Sequence, residues 1–280
     1  MILRKLELYE HGKTRKLWEA IFREDTKEFL DYYYEVKTTE NEIYVIEEDG
    51  KIVSMLHLNP YQMRIREKIY LTNYIVAVAT DEKYRKRGYM AKLLNYAIQV
   101  MRDRGEPFTF LMPAAEAIYK PFGFEFIYEQ ARGRIVGKQC DEDHLAFVMA
   151  KEEDCKAIAE YANSKLQMYD VVTWRNERYY KTLLKECASE NGGILLVKEN
   201  ERIEGVFSFA KGKEIEIREP LCSSEQILQY AIFAITGNET EEVECIGFGE
   251  ETRPMIMAKI LQEGMEKELN GLNVFLNEVV

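Results

Sequence analysis

The sequence predicts an α/β fold built as two related domains, and three observations carry that prediction. Apolar residues alternate along the chain between a helical spacing of three to four and a strand spacing of two. The segments 74–79 and 108–112 are apolar on both faces, as strands in the middle of a covered sheet are. An order of two helices, three strands, a helix and a strand runs through the first part of the chain and returns, more weakly, after residue 150. The domains are placed at residues 1–137 and 138–280, with mixed central sheets.

Element by element, a strand near Ile2–Leu6 comes first. Leu17, Ile21 and Phe22, then Phe29, Leu30, Tyr33 and Tyr34, suit two amphipathic helices. Ile43–Ile46 and Ile52–Leu58 form a hairpin around Asp49-Gly50, a pair that accepts the positive φ of a tight turn. A strand over Ile69–Thr80 follows. Met90, Leu93, Leu94, Ala97, Ile98 and Met101 make one helical stripe, which Gly105 stops. Phe108–Met112 is the next strand, and a short helix from Ala114 ends at Pro121. Phe124–Tyr128 and Arg132–Val136 read as two strands. The second half predicts helices over 152–166 and 175–190, strands at 194–197, 206–210 and 215–217, a helix carrying Ile227–Ile235, and a strand at 243–246. Met255–Leu261 is an apolar segment after Pro254, and Asn273–Val280 is strand-like and apolar enough to dock.

Charge and composition narrow the function. The chain has 38 Lys and Arg against 49 Asp and Glu, a net charge of −11, which disfavours nonspecific nucleic-acid binding. No uninterrupted apolar run approaches the roughly 18 residues that a membrane span needs, so no membrane partner is expected. The first residues lack the pattern of a secretory signal, and the expected location is the cytoplasm. Five separated cysteines and three histidines suggest neither a disulfide framework nor a metal site; Cys140 and His144 lack further ligands, and Gly212-Lys213 reads as a turn. The first 137 residues carry 22 basic and 21 acidic side chains, and the remainder 16 and 28. That asymmetry suits an anionic cofactor together with a cationic substrate, and it equally suits an acidic half that aids solubility.

The informative segment is Val76-Ala-Val-Ala-Thr-Asp-Glu-Lys-Tyr-Arg-Lys-Arg-Gly-Tyr-Met-Ala91, a buried strand breaking into a basic turn that opens a helix. Unpaired N–H groups at the helix start, with Arg85, Lys86, Arg87 and Gly88, form a cradle for a pyrophosphate; taken alone the same turn is also a solvated basic loop. In this position Arg85-Lys-Arg-Gly88-Tyr89-Met90 resembles the Q/R-x-x-G-x-G/A motif of the GCN5-related N-acetyltransferases, with Met90 in place of the last small residue. Tyr119-Lys-Pro-Phe-Gly-Phe124 resembles that family's Y-x-x-x-G-F segment. The tandem arrangement, Met255–Lys259 and Phe275–Val280 are similar to the enhanced intracellular survival acetyltransferases, without a full third domain.

The resemblance implies a GNAT fold in each half, a chain end docking back on the first domain, and acetyl-CoA as co-substrate. It implies that backbone groups of Val76, Val78 and Thr80 meet the pantetheine and thioester, that residues 85–90 hold the pyrophosphate, and that Tyr119 protonates the departing thiolate. It also implies that the terminal carboxylate of Val280 enters the first active site, and that the chain forms a homo-oligomer. Glu278 is a second candidate anion, and Glu24, Asp25, Phe29 and Tyr33 are candidates to line the acceptor cleft. In the second half Glu219-Pro-Leu-Cys-Ser-Ser224 stands where a basic glycine loop would be. The expected activity is acetyl transfer to a primary amine, on a small cationic molecule or a peptide lysine, by direct attack in a ternary complex. A non-catalytic acyl-CoA-binding regulator and an aminoacyl transferase are the alternatives.

Overall fold

The computed structural model describes residues 1–238, 241–265 and 271–278. β1 (Ile2–Lys5) leads into two short helices, α1 (Arg15–Ile21) and α2 (Lys27–Glu35). Thr26 starts α2 by accepting from the Phe29 N–H at 3.1 Å. β2 (Glu42–Glu48) and β3 (Lys51–Ile65) form the expected hairpin; Asp49 and Gly50 have φ of 49° and 73°, the pair of positive values that a type I′ turn requires. β4 (Lys68–Thr80) returns along β3, and α3 (Tyr89–Asp103) crosses to β5 (Phe108–Leu111). The α3 stripe of Leu93, Leu94, Ala97, Ile98 and Met101 is buried, each large side chain contributing roughly 1.5–3 kcal/mol.

After α4 (Glu116–Tyr119), β6 (Glu125–Val136) is one strand where two are expected. Its polar middle stays extended because its neighbours hold it along its whole length, as the sheet order below shows. The second half contains β7 (Leu145–Met149), α5 (Cys155–Lys165), β8 (Val171–Thr173), α6 (Glu177–Ser189), β9 (Gly193–Glu199), β10 (Arg202–Lys211) and β11 (Ile215–Cys222). α7 (Glu225–Thr236), β12 (Glu242–Ile246), β13 (Glu251–Ile260) and β14 (Val274–Phe275) complete it. β7 and β8 are additions to the sequence-based expectation: one is a sheet edge and the other only three residues long, so neither has a long periodic signal.

The strands join in a single mixed sheet in the order β1-β2-β3-β4-β5-β13-β6-β12-β11-β10-β9-β7, with β8 attached to β3 and β14 to β8. Five strands of the first half lie on one flank and five of the second on the other. Between them the halves exchange strands: β13 pairs with β5 from Met257–Leu111 to Ile260–Phe108, and β6 pairs with β12 from Glu242–Val136 to Ile246–Arg132. The apolar segment after Pro254 is therefore a central strand of the first half's sheet.

The tail reaches the first half as expected. Asn277 Oδ1 accepts from Tyr128 Oη at 3.1 Å and Gln130 Nε2 at 2.9 Å, both on β6. Val279 and Val280 lie outside the described residues.

Candidate active site

The site begins with a fork in the sheet. β4 and β5 run parallel and are in register at Tyr74–Phe110, after which β4 continues to Thr80 while β5 ends at Leu111. Beside the fork Ala77 has φ of 53°, and the β3–β4 register slips between Met55 and His57. A bulge of this kind bends its strand and re-aims its backbone. Val76 and Val78 pack their side chains against the main core, while Thr80 Oγ1 shares a 2.8 Å hydrogen bond with Ser54.

The basic turn follows at the open end of the fork. Asp81 accepts from the Lys83 N–H at 2.9 Å, tightening a short 3-10 turn over Glu82–Tyr84. Lys86 (φ 62°) and Gly88 (φ 76°) then take left-handed conformations, and Gly88 is the N-cap of α3 without a side chain to cap the helix. Arg85, Lys86 and Arg87 are exposed. Arg85 Nε donates to Thr80 O at 3.3 Å, and Arg87 stacks 4.9 Å over the Tyr84 ring and lies 3.4 Å from Glu48. Tyr89 is buried and bonded to Glu48. Met90 packs against the main core, so its length is accommodated away from the turn. An uncapped helix start behind left-handed residues and flanked by arginines is a ready anion site.

Tyr119 closes α4, buried to 7% exposure with its ring 6.0 Å from Phe124. Burial pushes its hydroxyl up to about 12, so it stays protonated through the neutral range.

Beyond the fork lies a cavity of about 370 Å³ between the halves, with walls from residues 36–71, 173–221 and the tail at 277–278. Tyr61 on its floor packs 6.2 Å from Tyr74 and 6.1 Å from Phe110, the pair at the root of the fork. Glu278 lines the cavity with a side chain only 2% exposed. Its Oε1 accepts from Arg175 Nη1 at 2.7 Å, and its Oε2 has no hydrogen-bond partner among the described residues. Arg175, fully buried, donates twice to Glu219 at 2.8 Å and lies 4.3 Å over the Tyr179 ring. Burial raises the Glu219 carboxyl to about 7 against the opposing pull of Arg175.

The second half has the matching bend without the matching opening. Glu219 has φ of 51°, beside a register slip between Val206 and Ser208, and β11 pairs with β12 only over Glu216–Arg218. The tail packs there: a Cβ on Gly247 would meet Asn277 Nδ2 at 2.7 Å. The following helix, α7, is capped by Ser224, which accepts from the Ile227 N–H at 3.4 Å.

Other expected cleft residues lie elsewhere. Phe29 and Tyr33 are buried with Trp18 in a second core beneath α1 and α2, where Tyr33 Oη donates to Asn59 Oδ1 at 3.1 Å. Glu24 is exposed, and Asp25 accepts from Trp18 Nε1 at 2.6 Å. α2 instead meets the cavity through its neighbouring face: Tyr32 Oη donates to Glu186 Oε2 at 3.0 Å, and Val36 and Lys37 form part of the wall. Lys37, Tyr61, Arg175 and Glu186 were not marked by any motif. A comparison of the two halves around their bulges is the signal that leads to Glu219 and its partners.

The forked mixed sheet, repeated in two halves and opening on a basic helix start, is a fold that solved structures share. A probable N-acyltransferase from Enterococcus faecalis V583 superposes with a TM-score of 0.77 at 16% identity, covering 93% of this chain and 72% of that one. A GCN5-related N-acetyltransferase from Kribbella flavida gives 0.71 at 14%, covering 92% and 71%. A tandem GNAT protein from the clavulanic acid biosynthesis pathway gives 0.61 at 12%, covering 94% and 100%. No curated protein matches the sequence significantly. Residues 3–127 match the family described as acetyltransferase (GNAT) domain. Among the described residues, no helix is long and apolar enough to cross a membrane.

Proposed function

We propose that the first half transfers an acetyl group from acetyl-CoA to a primary amine, on a small cationic molecule or a peptide lysine, by direct attack within a ternary complex. The contrast between the halves carries this reading. The first has a fork leading to an uncapped, arginine-flanked helix start, and the second has its fork packed by the tail and its helix capped.

Acetyl-CoA supplies the activated thioester. Residues 85–90 hold its pyrophosphate on the first turn of α3, and the backbone of Val76, Val78 and Thr80 aligns the pantetheine. Fixed N–H donors there stabilise charge developing on the thioester oxygen, typically by a few kcal/mol. Tyr119, kept protonated by burial, gives its proton to the leaving thiolate. The acceptor must arrive unprotonated: for an amine of pKa near 10.4 this costs about 4.6 kcal/mol at pH 7. Glu278 Oε2, buried in the cavity wall and without a hydrogen-bond partner among the described residues, holds the acceptor's ammonium beside the fork and orients it, and the Val280 carboxylate is a second anion for that task.

Thiol release from acetyl-CoA across a panel of amines, with acetyl-CoA binding followed by calorimetry, tests the proposal. Release that depends on the amine is expected, and Glu278→Gln should raise KM for that amine about tenfold while acetyl-CoA affinity holds. Binding without release from any amine would point to the regulatory role, and absence of binding would overturn the cradle.

A further inference from the structure

The acceptor cavity contains a primary amine of its own. Lys37 follows α2 on a short 3-10 turn, half-buried, and its Nζ donates to Tyr61 Oη at 3.0 Å while lying 4.8 Å from the centre of the Tyr61 ring. That ring is the one that touches both Tyr74 and Phe110, so a single tyrosine separates the amine from the root of the fork. The carboxylates acting on Lys37 are Glu186, Glu278 and Glu40, and all three line the same cavity. Glu40 is paired with Arg178 and Glu278 with Arg175, whereas the Glu186 carboxylate accepts from the neutral hydroxyl of Tyr32. Burial lowers the Lys37 pKa, favouring the neutral, nucleophilic form.

Resting on the acetyl-transfer reading of this site, we propose that Lys37 is a site of self-acetylation: the chain's own amine in the acceptor cavity takes the acetyl group when no external acceptor is present. The Nζ lone pair attacks the thioester carbonyl carbon, an N–C bond forms and the C–S bond breaks. The departing sulfur takes the Tyr119 proton, and the proton lost by Nζ passes to Glu186. One amide and one free thiol result, with no oxidant or reductant. The product replaces an amine that can carry positive charge with a neutral amide and removes its pull on Glu186, so the modified chain would favour cationic acceptors more strongly than the unmodified one.

The test incubates the purified full chain with isotopically labelled acetyl-CoA and no amine, then maps it by trypsin and mass spectrometry. An acetylated Lys37 resists cleavage, so the label should appear on the uncut peptide 28–51. Labelling should be at least about tenfold faster than at the exposed Lys27 and Lys86, because a held amine has a high effective concentration. It should be first order in protein, and lost in the heat-denatured chain and in Lys37→Arg. Calorimetry on the same sample separates the possible failures. Bound acetyl-CoA with Lys37 unlabelled, or with label spread evenly over exposed lysines, would overturn self-acetylation alone. No acetyl-CoA binding would overturn the donor assignment and this proposal together.

Discussion

Ala77 and Glu219 hold the same left-handed backbone, φ 53° and 51°, at the same place in the two halves, each on the fourth main strand beside a slipped register with the third. One bend opens a cleft toward a basic helix start. The other is sealed, because Glu219 is drawn to Arg175 and the tail residues Asn277 and Glu278 pack on it. A shared backbone device thus has opposite outcomes, decided by side chains. The tail that seals the second cleft is also the one that lines the cavity leading to the first.

The basic turn should govern donor affinity. Charge-assisted hydrogen bonds are worth about 1.5–3 kcal/mol, so Arg85→Ala and Arg87→Ala should each weaken acetyl-CoA binding about tenfold, with a smaller penalty in high salt. Calorimetry at two ionic strengths checks this, and unchanged affinity in both variants would remove these residues from the cradle.

Tyr119→Phe should separate chemistry from binding. Losing the proposed general acid should lower turnover by about 10² to 10⁴, while the ring that packs on Phe124 remains, so stability and acetyl-CoA affinity should hold. Deleting Val279 and Val280 should likewise lower turnover at nearly unchanged acetyl-CoA affinity. Steady-state kinetics beside calorimetry distinguishes these outcomes from a loss of fold.

Much of this site was legible in the sequence because its signals are local. The Asp49-Gly50 turn, the α3 stripe and the Arg85–Met90 turn are each set by residues within a few positions of one another, and the structure has them where the periodicity put them. The relationships that the sequence concealed are long-range. Arg175 and Glu278 are 103 positions apart, and β13 reaches β5 across more than a hundred residues, so no short pattern announces either pairing. The cleft candidates on α2 illustrate a subtler limit. Helical spacing identified Phe29 and Tyr33 as one face, but which face turns to the cavity depends on α6, whose Glu186 meets Tyr32 one position round the helix.

Glu219 should make stability depend on pH in the direction opposite to an ordinary paired carboxylate. Its folded value, about 7, is above the usual 4.5, so the folded state binds the extra proton between those limits. Stability from this group is full below about pH 4.5, declines as pH rises through about 7, and is level above it. Glu219→Gln abolishes the titration. The melting temperature of the variant relative to the native chain should therefore rise between pH 5 and pH 8, and a difference that stays constant or falls would show that Arg175 holds Glu219 ionised throughout.

The strand exchange itself can be broken at Gly249, between β12 and β13. Its φ is 125°, a region that side chains strain to enter, and a Cβ there would collide with the backbone oxygen of Arg132 on β6. The β6 backbone is held against a shift, on one side by β12 and on the other by β13. Gly249→Ala should cost about 2–4 kcal/mol, combining backbone strain with a clash that only a shift of the ladder relieves. Ser224→Ala removes a helix cap in the second half without touching the exchanged strands, and should cost only about 1 kcal/mol. Urea unfolding of the two variants gives the comparison: a Gly249→Ala chain as stable as Ser224→Ala would mean that the crossing between the halves is looser than this packing requires.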